Sequence, residues 1–142
     1  MTCPIRLAET DADILGCFPV MFQLRPHLVA AEFVHRIRRQ ITQGFQLAFG
    51  TAQRKVVCVA GFRVHETLFG GLQLYVDDLV TDEAARSCGH GAAMFAWLVQ
   101  QAKSNNCDVL ALDSGVQRFD AHRFYLAMRM NIACHHFRLK LQ

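Results

Sequence analysis

One junction constrains this chain more than any other feature. The alternating run at residues 72–80 (LQLYVDDLV) passes through Arg86-Ser87-Cys88-Gly89-His90-Gly91 into GAAMFAWLVQQAK, whose apolar residues recur at helical spacing. Lacking a Cβ, Gly89 and Gly91 accept φ > 0 and let a ligand approach the main chain. The first N–H groups of the helix have no partner inside it and sit at the positive end of its dipole, an arrangement that suits a pyrophosphate. A Rossmann fingerprint does not fit, because the third glycine is missing and the strand lies in mid-chain. A Walker loop is excluded by the absence of a following Gly-Lys-Ser/Thr.

Around this junction the pattern predicts one domain spanning residues 1–142, a length that allows a single sizeable core. Residues 3–7 read as a strand, and Thr10-Asp11 caps a helix over DADILGCFPVMFQL that Pro19 and Pro26 limit. A second amphipathic helix over residues 28–43 turns Val29, Phe33, Val34, Ile37 and Ile41 inward, with Arg36, Arg38, Arg39 and Gln40 outward. Residues 45–50 and 55–64 form a hairpin, and Gly70-Gly71 turns the chain into the strand ending at Val80. Met94, Phe95, Leu98 and Val99 give the third helix its core face. Asn105-Asn106 ends that helix before the buried strand VLALD, and the strand–helix–strand unit is expected to be parallel and right-handed. Residues 121–129 read as a fourth helix, and NIACHHFRLKL as one or two closing strands.

Composition narrows the function classes. A net charge of +3, with Lys and Arg scattered, gives no footprint for nucleic acid, while a mild positive field suits a polyanionic cofactor. The six cysteines show no metal-ligand or Cys-x-x-Cys spacing and are expected to be reduced. His135-His136 lacks a third ligand at suitable spacing, so no metal is expected. With neither a signal-like start nor a run of about eighteen apolar residues, the expectation is a cytoplasmic chain without a membrane partner.

The segment Arg86-x-x-Gly89-x-Gly91 resembles motif A of the GNAT superfamily of acyl-CoA N-acyltransferases, Gln/Arg-x-x-Gly-x-Gly/Ala, at every fixed position. The resemblance continues through LYVDDLVTDEAARSCGHGAAMFAWL and AHRFYLAMRMNIACHHF. It implies an α/β (mixed α+β) fold with a central, mostly antiparallel sheet, flanking helices and a splayed strand pair at the cofactor site. It also implies an N-acetyltransferase moving an acetyl group directly from acetyl-CoA to an amine of a small molecule or protein within a ternary complex. A homodimer is compatible with the resemblance. The competing reading is a non-catalytic acyl-CoA-binding module of the same fold.

The implied cofactor site comprises the main chain around Leu79 and Val80, where family members hold the acetyl carbonyl and pantetheine, and the loop Arg86, Ser87, Cys88, Gly89, His90, Gly91 and Ala92. Tyr125, in the family's Phe-Tyr position on the helix after the fifth strand, is the implied acid for the departing thiolate. Arg129-Met130 departs from the family's usual Gly-Phe. Asp77 and Asp78 are the candidates for receiving or orienting the amine. Strict strand alternation would send their side chains to opposite faces, leaving one in the cleft. The His90 side chain is expected to be exposed in the loop, and Cys88 to contribute its backbone amide.

Overall fold

The computed structural model describes residues 3–142 and divides into two compact units, one ending at Ala111 and the other covering Leu112–Gln142. In chain order the first unit contains β1 (Ile5–Leu7), α1 (Asp11–Leu24), α2 (Ala30–Ile41), β2 (Phe45–Ala52), β3 (Lys55–Thr67), β4 (Gly71–Thr81), a 3₁₀ turn (Glu83–Ala85), α3 (His90–Ser104) and β5 (Val109–Leu112), whose last residue opens the second unit. The second unit carries α4 (Phe119–Ala127). None of the helices among the described residues is long and apolar enough to cross a membrane.

The fold is mixed α/β: a five-stranded, mostly antiparallel sheet in the order β1-β2-β3-β4-β5, flanked by helices. The hairpin β2–β3 closes on Gln53 and Arg54, both at positive φ (51° and 65°), the twist that a two-residue turn needs to match the strands. The Asp108 N–H donates to the Leu72 carbonyl at 2.6 Å, and the Asp108 carboxylate accepts the Leu72 N–H at 3.0 Å. β5 therefore starts beside the start of β4 and runs with it. β4 is eleven residues long and β5 four, so residues 77–81 extend past the end of β5.

Local chemistry sets the helix limits. Thr10 accepts the Asp13 N–H, and Asp13 reaches back to the Thr10 N–H, a capping box that starts α1. Pro26 follows the last turn of α1, as expected. Pro19, by contrast, lies inside the helix, where it cannot donate an amide hydrogen bond and its ring crowds the preceding turn, yet α1 continues to Leu24. One face of the sheet packs on α1 and α2 through Ile14, Cys17, Met21, Phe33, Ile37, Phe45, Leu47 and Val59. Burying each larger side chain contributes roughly 1.5–3 kcal/mol. α3 adds Met94, Phe95, Leu98 and Ala102, with Trp97 edge-on to Phe62 at 5.8 Å; Val99 is only half-buried.

The closing strands expected over NIACHHFRLKL do not form: residues 130–142 have no regular structure, and Ile132, Phe137, Leu139 and Leu141 are exposed. Alternating apolar residues supply a face, but a strand also needs a neighbour's ladder of hydrogen bonds.

Candidate active site

β4 leads through the 3₁₀ turn into a loop whose backbone is unusual at two points. Ser87 has φ +64°, and Gly89, at the N-cap of α3, has φ +83°. A Cβ placed on Gly89 would meet nothing within 4 Å, so the space above this backbone is open. The first helical hydrogen bond runs from the Ala93 N–H to the Gly89 carbonyl, so the amides of His90, Gly91 and Ala92 precede any helical acceptor. Arg86, Ser87 and Cys88 are exposed beside them. These residues form an open, amide-lined cradle that fits the phosphates of a nucleotide-like ligand.

His90 departs from the sequence expectation of an exposed side chain. It is buried, and its Nδ1 has no hydrogen-bond partner among the described residues. The reason is periodicity: positions 90, 94 and 98 share one face of α3, and Met94 and Leu98 are both completely buried. That spacing was the signal available in the chain.

The aspartates also depart from strict alternation. Gly61 pairs with Asp78 and Phe62 with Val76, which leaves Asp77 as the extra residue of a β-bulge. Asp78 Oδ1 accepts from Arg25 Nε at 2.9 Å, while Arg63 reaches Asp77 Oδ2 at 2.8 Å. The Arg63 guanidinium lies over the ring of Phe45, its cross-strand partner. Phe45 packs in the core under α1 and α2, so the bulge brings both carboxylates to the helical side of the sheet instead of opposite faces. Glycine is required at position 61, because a Cβ there would lie 2.6 Å from Asp78 Oδ2 and collide with the Phe45 ring.

Asp78 opens onto a cavity of about 220 Å³. Its polar wall is formed by Asp78, Arg25, His27, Arg36 and Gln40, and its apolar lining by Met21, Leu28, Phe33, Ile37 and Phe45. Burial pushes the Asp78 carboxyl above the ordinary carboxylate range, against the opposing pull of the hydrogen bond from Arg25. Asp77 does not line this cavity.

Leu79 and Val80 lie opposite Ala60 and Val59 on β3. Successive amides of a strand point to alternate sides, so one of the two faces away from β3, along the stretch of β4 that β5 does not cover.

Two residues missed by sequence reasoning tie these parts together. Gln23, near the end of α1, donates to Asp82 Oδ1 at 3.0 Å and accepts the Glu83 N–H at 3.0 Å, anchoring the loop entrance. Its hydrogen bond helps hold the Asp82 carboxyl below the usual range. Arg25, at the C-cap of the same helix, holds Asp78 and also donates to the Asp77 carbonyl at 3.0 Å. Neither residue belongs to a motif, and each is more than fifty positions from its partners.

In the second unit Tyr125 lies on α4, half-buried, its ring 5.6 Å from that of Phe124. Burial raises its phenol above the ordinary tyrosine value. The helix ends in a Schellman arrangement: the Met130 N–H donates to the Tyr125 carbonyl at 3.1 Å and the Arg129 N–H to the Leu126 carbonyl at 3.0 Å. Arg129 adopts φ +68°, the conformation for which glycine is favoured. Asp113 pairs with His136 Nδ1 at 2.8 Å.

Comparison with known proteins identifies the family. The chain is 28% identical over 109 residues to the uncharacterized N-acetyltransferase YhdJ of Bacillus subtilis (strain 168), covering 76% of this chain and 77% of that protein. Its fold superposes on a putative acetyltransferase from Agrobacterium tumefaciens str. C58 with a TM-score of 0.83 at 22% identity, covering 97% and 99% of the two chains. An acetyltransferase from Trypanosoma brucei gives a TM-score of 0.79 at 21% identity, again covering 97% and 99%. A model of the Acetyltransferase (GNAT) family matches residues 9–129. With that match running from the start of α1 through the end of α4, the chain belongs to the GNAT acetyltransferase family.

Proposed function

We propose that this protein is an N-acetyltransferase that uses acetyl-CoA as donor and transfers the acetyl group directly to an amine held in the cavity beside Asp78. The observation that carries the reading is the open cradle at Gly89, which follows, through one 3₁₀ turn, a β4 end that β5 leaves uncovered. Main-chain amides from Arg86 to Ala92 would hold the donor's phosphates, and an outward amide of the Leu79-Val80 pair would polarise the acetyl carbonyl.

The reaction needs no covalent enzyme intermediate. The neutral amine attacks the thioester carbonyl, an N–C bond forms, the C–S bond breaks, and the nitrogen gives up a proton while the thiolate gains one. Asp78 lines the cavity and is the group we assign to orienting the amine or receiving its proton. The family resemblance assigns the thiolate's proton to Tyr125, and its raised pKa keeps that phenol protonated at neutral pH.

The test pairs binding with turnover. Acetyl-CoA titrated calorimetrically into the wild type should bind, and folded Gly91→Glu, which adds bulk and negative charge at the cradle, should not. Thiol release on adding an amine panel reports transfer. Unchanged affinity in Gly91→Glu removes the cradle assignment, and tight binding without transfer to any amine favours a non-catalytic acyl-CoA-binding module.

A further inference from the structure

The cavity beside Asp78 carries an unbalanced charge. Asp78 is matched by Arg25 and Asp77 by Arg63, yet Arg36, which lines the same cavity, has no carboxylate partner among the described residues. Arg36 is held in place by helix periodicity. Phe33, Arg36, Ile37 and Gln40 are spaced i, i+3, i+4 and i+7, so one face of α2 presents a guanidinium and an amide beside two apolar side chains. Arg38 and Arg39, on the same helix, do not line the cavity, and Arg38 is occupied by Asp11 and the Glu9 carbonyl.

An unpaired guanidinium fork is suited to a carboxylate or phosphate, which it binds with charge-assisted hydrogen bonds. The same cavity offers Asp78 to an amine and an apolar lining to whatever joins the two groups. At about 220 Å³ it is smaller than the pockets of roughly 300–1,000 Å³ that enclose drug-sized ligands, so it suits a small acceptor. Building on the transferase reading above, we propose that the acceptor is a small primary amine that itself carries an anionic group and an apolar body, as an apolar α-amino acid does. Arg36 takes the anion, Asp78 faces the amine, and Phe33, Ile37 and Met21 cover the body.

The anion remains unchanged in the reaction, so its effect is on acceptor binding. Three probes separate its parts: L-phenylalanine, phenethylamine, which lacks only the carboxylate, and 1-amino-2-phenylethylphosphonate, which replaces the carboxylate with a phosphonate. With acetyl-CoA saturating, kcat/KM for L-phenylalanine or for 1-amino-2-phenylethylphosphonate should exceed that for phenethylamine by about tenfold or more, the value of one charge-assisted hydrogen bond. The larger of the two identifies the anion.

Arg36→Gln should erase that preference, chiefly through KM, and Arg36→Lys, which keeps the charge but loses the fork, should retain part of it. Arg39→Gln, on the same helix but outside the cavity lining, should leave the preference intact. A wild-type preference near one, or a preference that survives in Arg36→Gln, overturns the proposal while leaving the transferase reading standing. Calorimetry of the same probes separates the reverse case. Arg36-dependent binding of an anionic probe, with no acetyl transfer to it or to any amine of the panel, supports the anion site and removes the transferase reading. No binding and no turnover of either anionic probe overturns the proposal.

Discussion

Arg25 Nε lies 2.9 Å from Asp78 Oδ1, and another nitrogen of the same guanidinium donates to the Asp77 carbonyl at 3.0 Å. One side chain at the end of α1 thus holds both the carboxylate that lines the cavity and the backbone of the bulge that presents it. The bulge supplies the direction, and the arginine supplies a positive charge that opposes the cost of burying the carboxylate.

The two aspartates should respond unequally to substitution. Asp78→Asn is expected to raise KM for the acceptor or lower turnover, because it removes the only carboxylate among the cavity-lining residues. Asp77→Asn breaks the pairing with Arg63 outside the cavity and should alter kcat/KM little. Steady-state kinetics of both variants check this, and equal effects would place the chemistry elsewhere.

Gln23→Ala should loosen the loop entrance without touching a ligand. It deletes a donor to Asp82 and an acceptor for the Glu83 N–H, a loss of about 1–2 kcal/mol in stability at typical net hydrogen-bond values. The expected result is a lower thermal midpoint together with weaker acetyl-CoA affinity. A fall in stability with unchanged affinity would confine Gln23 to a structural role.

Tyr125→Phe should preserve acetyl-CoA affinity and reduce turnover by on the order of 10²–10⁴, the usual range for general acid–base catalysis. The pH profile carries the second half of the test. Burial raises the phenol pKa, which favours the protonated acid. Wild-type activity should therefore rise with pH as the amine deprotonates and fall only above the ordinary tyrosine value of about 10. An equal rate in the variant, with chemistry limiting, reassigns the ring to packing.

Arg129→Gly should stabilise the end of α4. A non-glycine residue in the left-handed region costs roughly 1–2 kcal/mol, partly offset by the greater freedom of glycine in the unfolded chain. A gain of about 0.5–1 kcal/mol in chemical denaturation is expected, with the hydrogen bond from Met130 to the Tyr125 carbonyl retained. A loss of stability would show that the Arg129 side chain contributes more than its backbone costs.

Acid should weaken the start of α1. The paired hydrogen bonds from Arg6 to Asp13, at 2.9 and 2.8 Å, hold that carboxyl well below its ordinary value, with further help from the Glu9 and Thr10 amides. A depressed carboxylate pKa contributes stability above the unfolded value of about 3.9, and the contribution is lost as pH falls from there toward the folded value. Arg6 is largely exposed, so solvent screening keeps the contribution of the ion pair itself small. Urea midpoints of wild type and Asp13→Asn should differ at pH 7, and the difference should shrink steadily as pH falls below about 3.9; a constant difference through that fall would rule out the charge as its cause.

Much of the molecule follows from chemistry acting within a few residues. The Thr10 cap, the Pro26 stop, the α2 face of Phe33 and Ile37, and the glycine turn before α3 were all readable along the chain, because caps, turns and helical periodicity are short-range. The same holds for the cradle, whose backbone amides depend on Gly89 and a helix start. The bulge at Asp77 was not readable, since it exists only as a register mismatch between β3 and β4 and cancels the alternation that either strand alone suggests. Nor were the partners Gln23–Asp82 and Arg25–Asp78, because side chains more than fifty positions apart meet only after α1 has packed on the sheet. The closing strands failed for the same physical reason: alternation specifies which side chains share a face, while pairing requires a partner edge that no local pattern encodes.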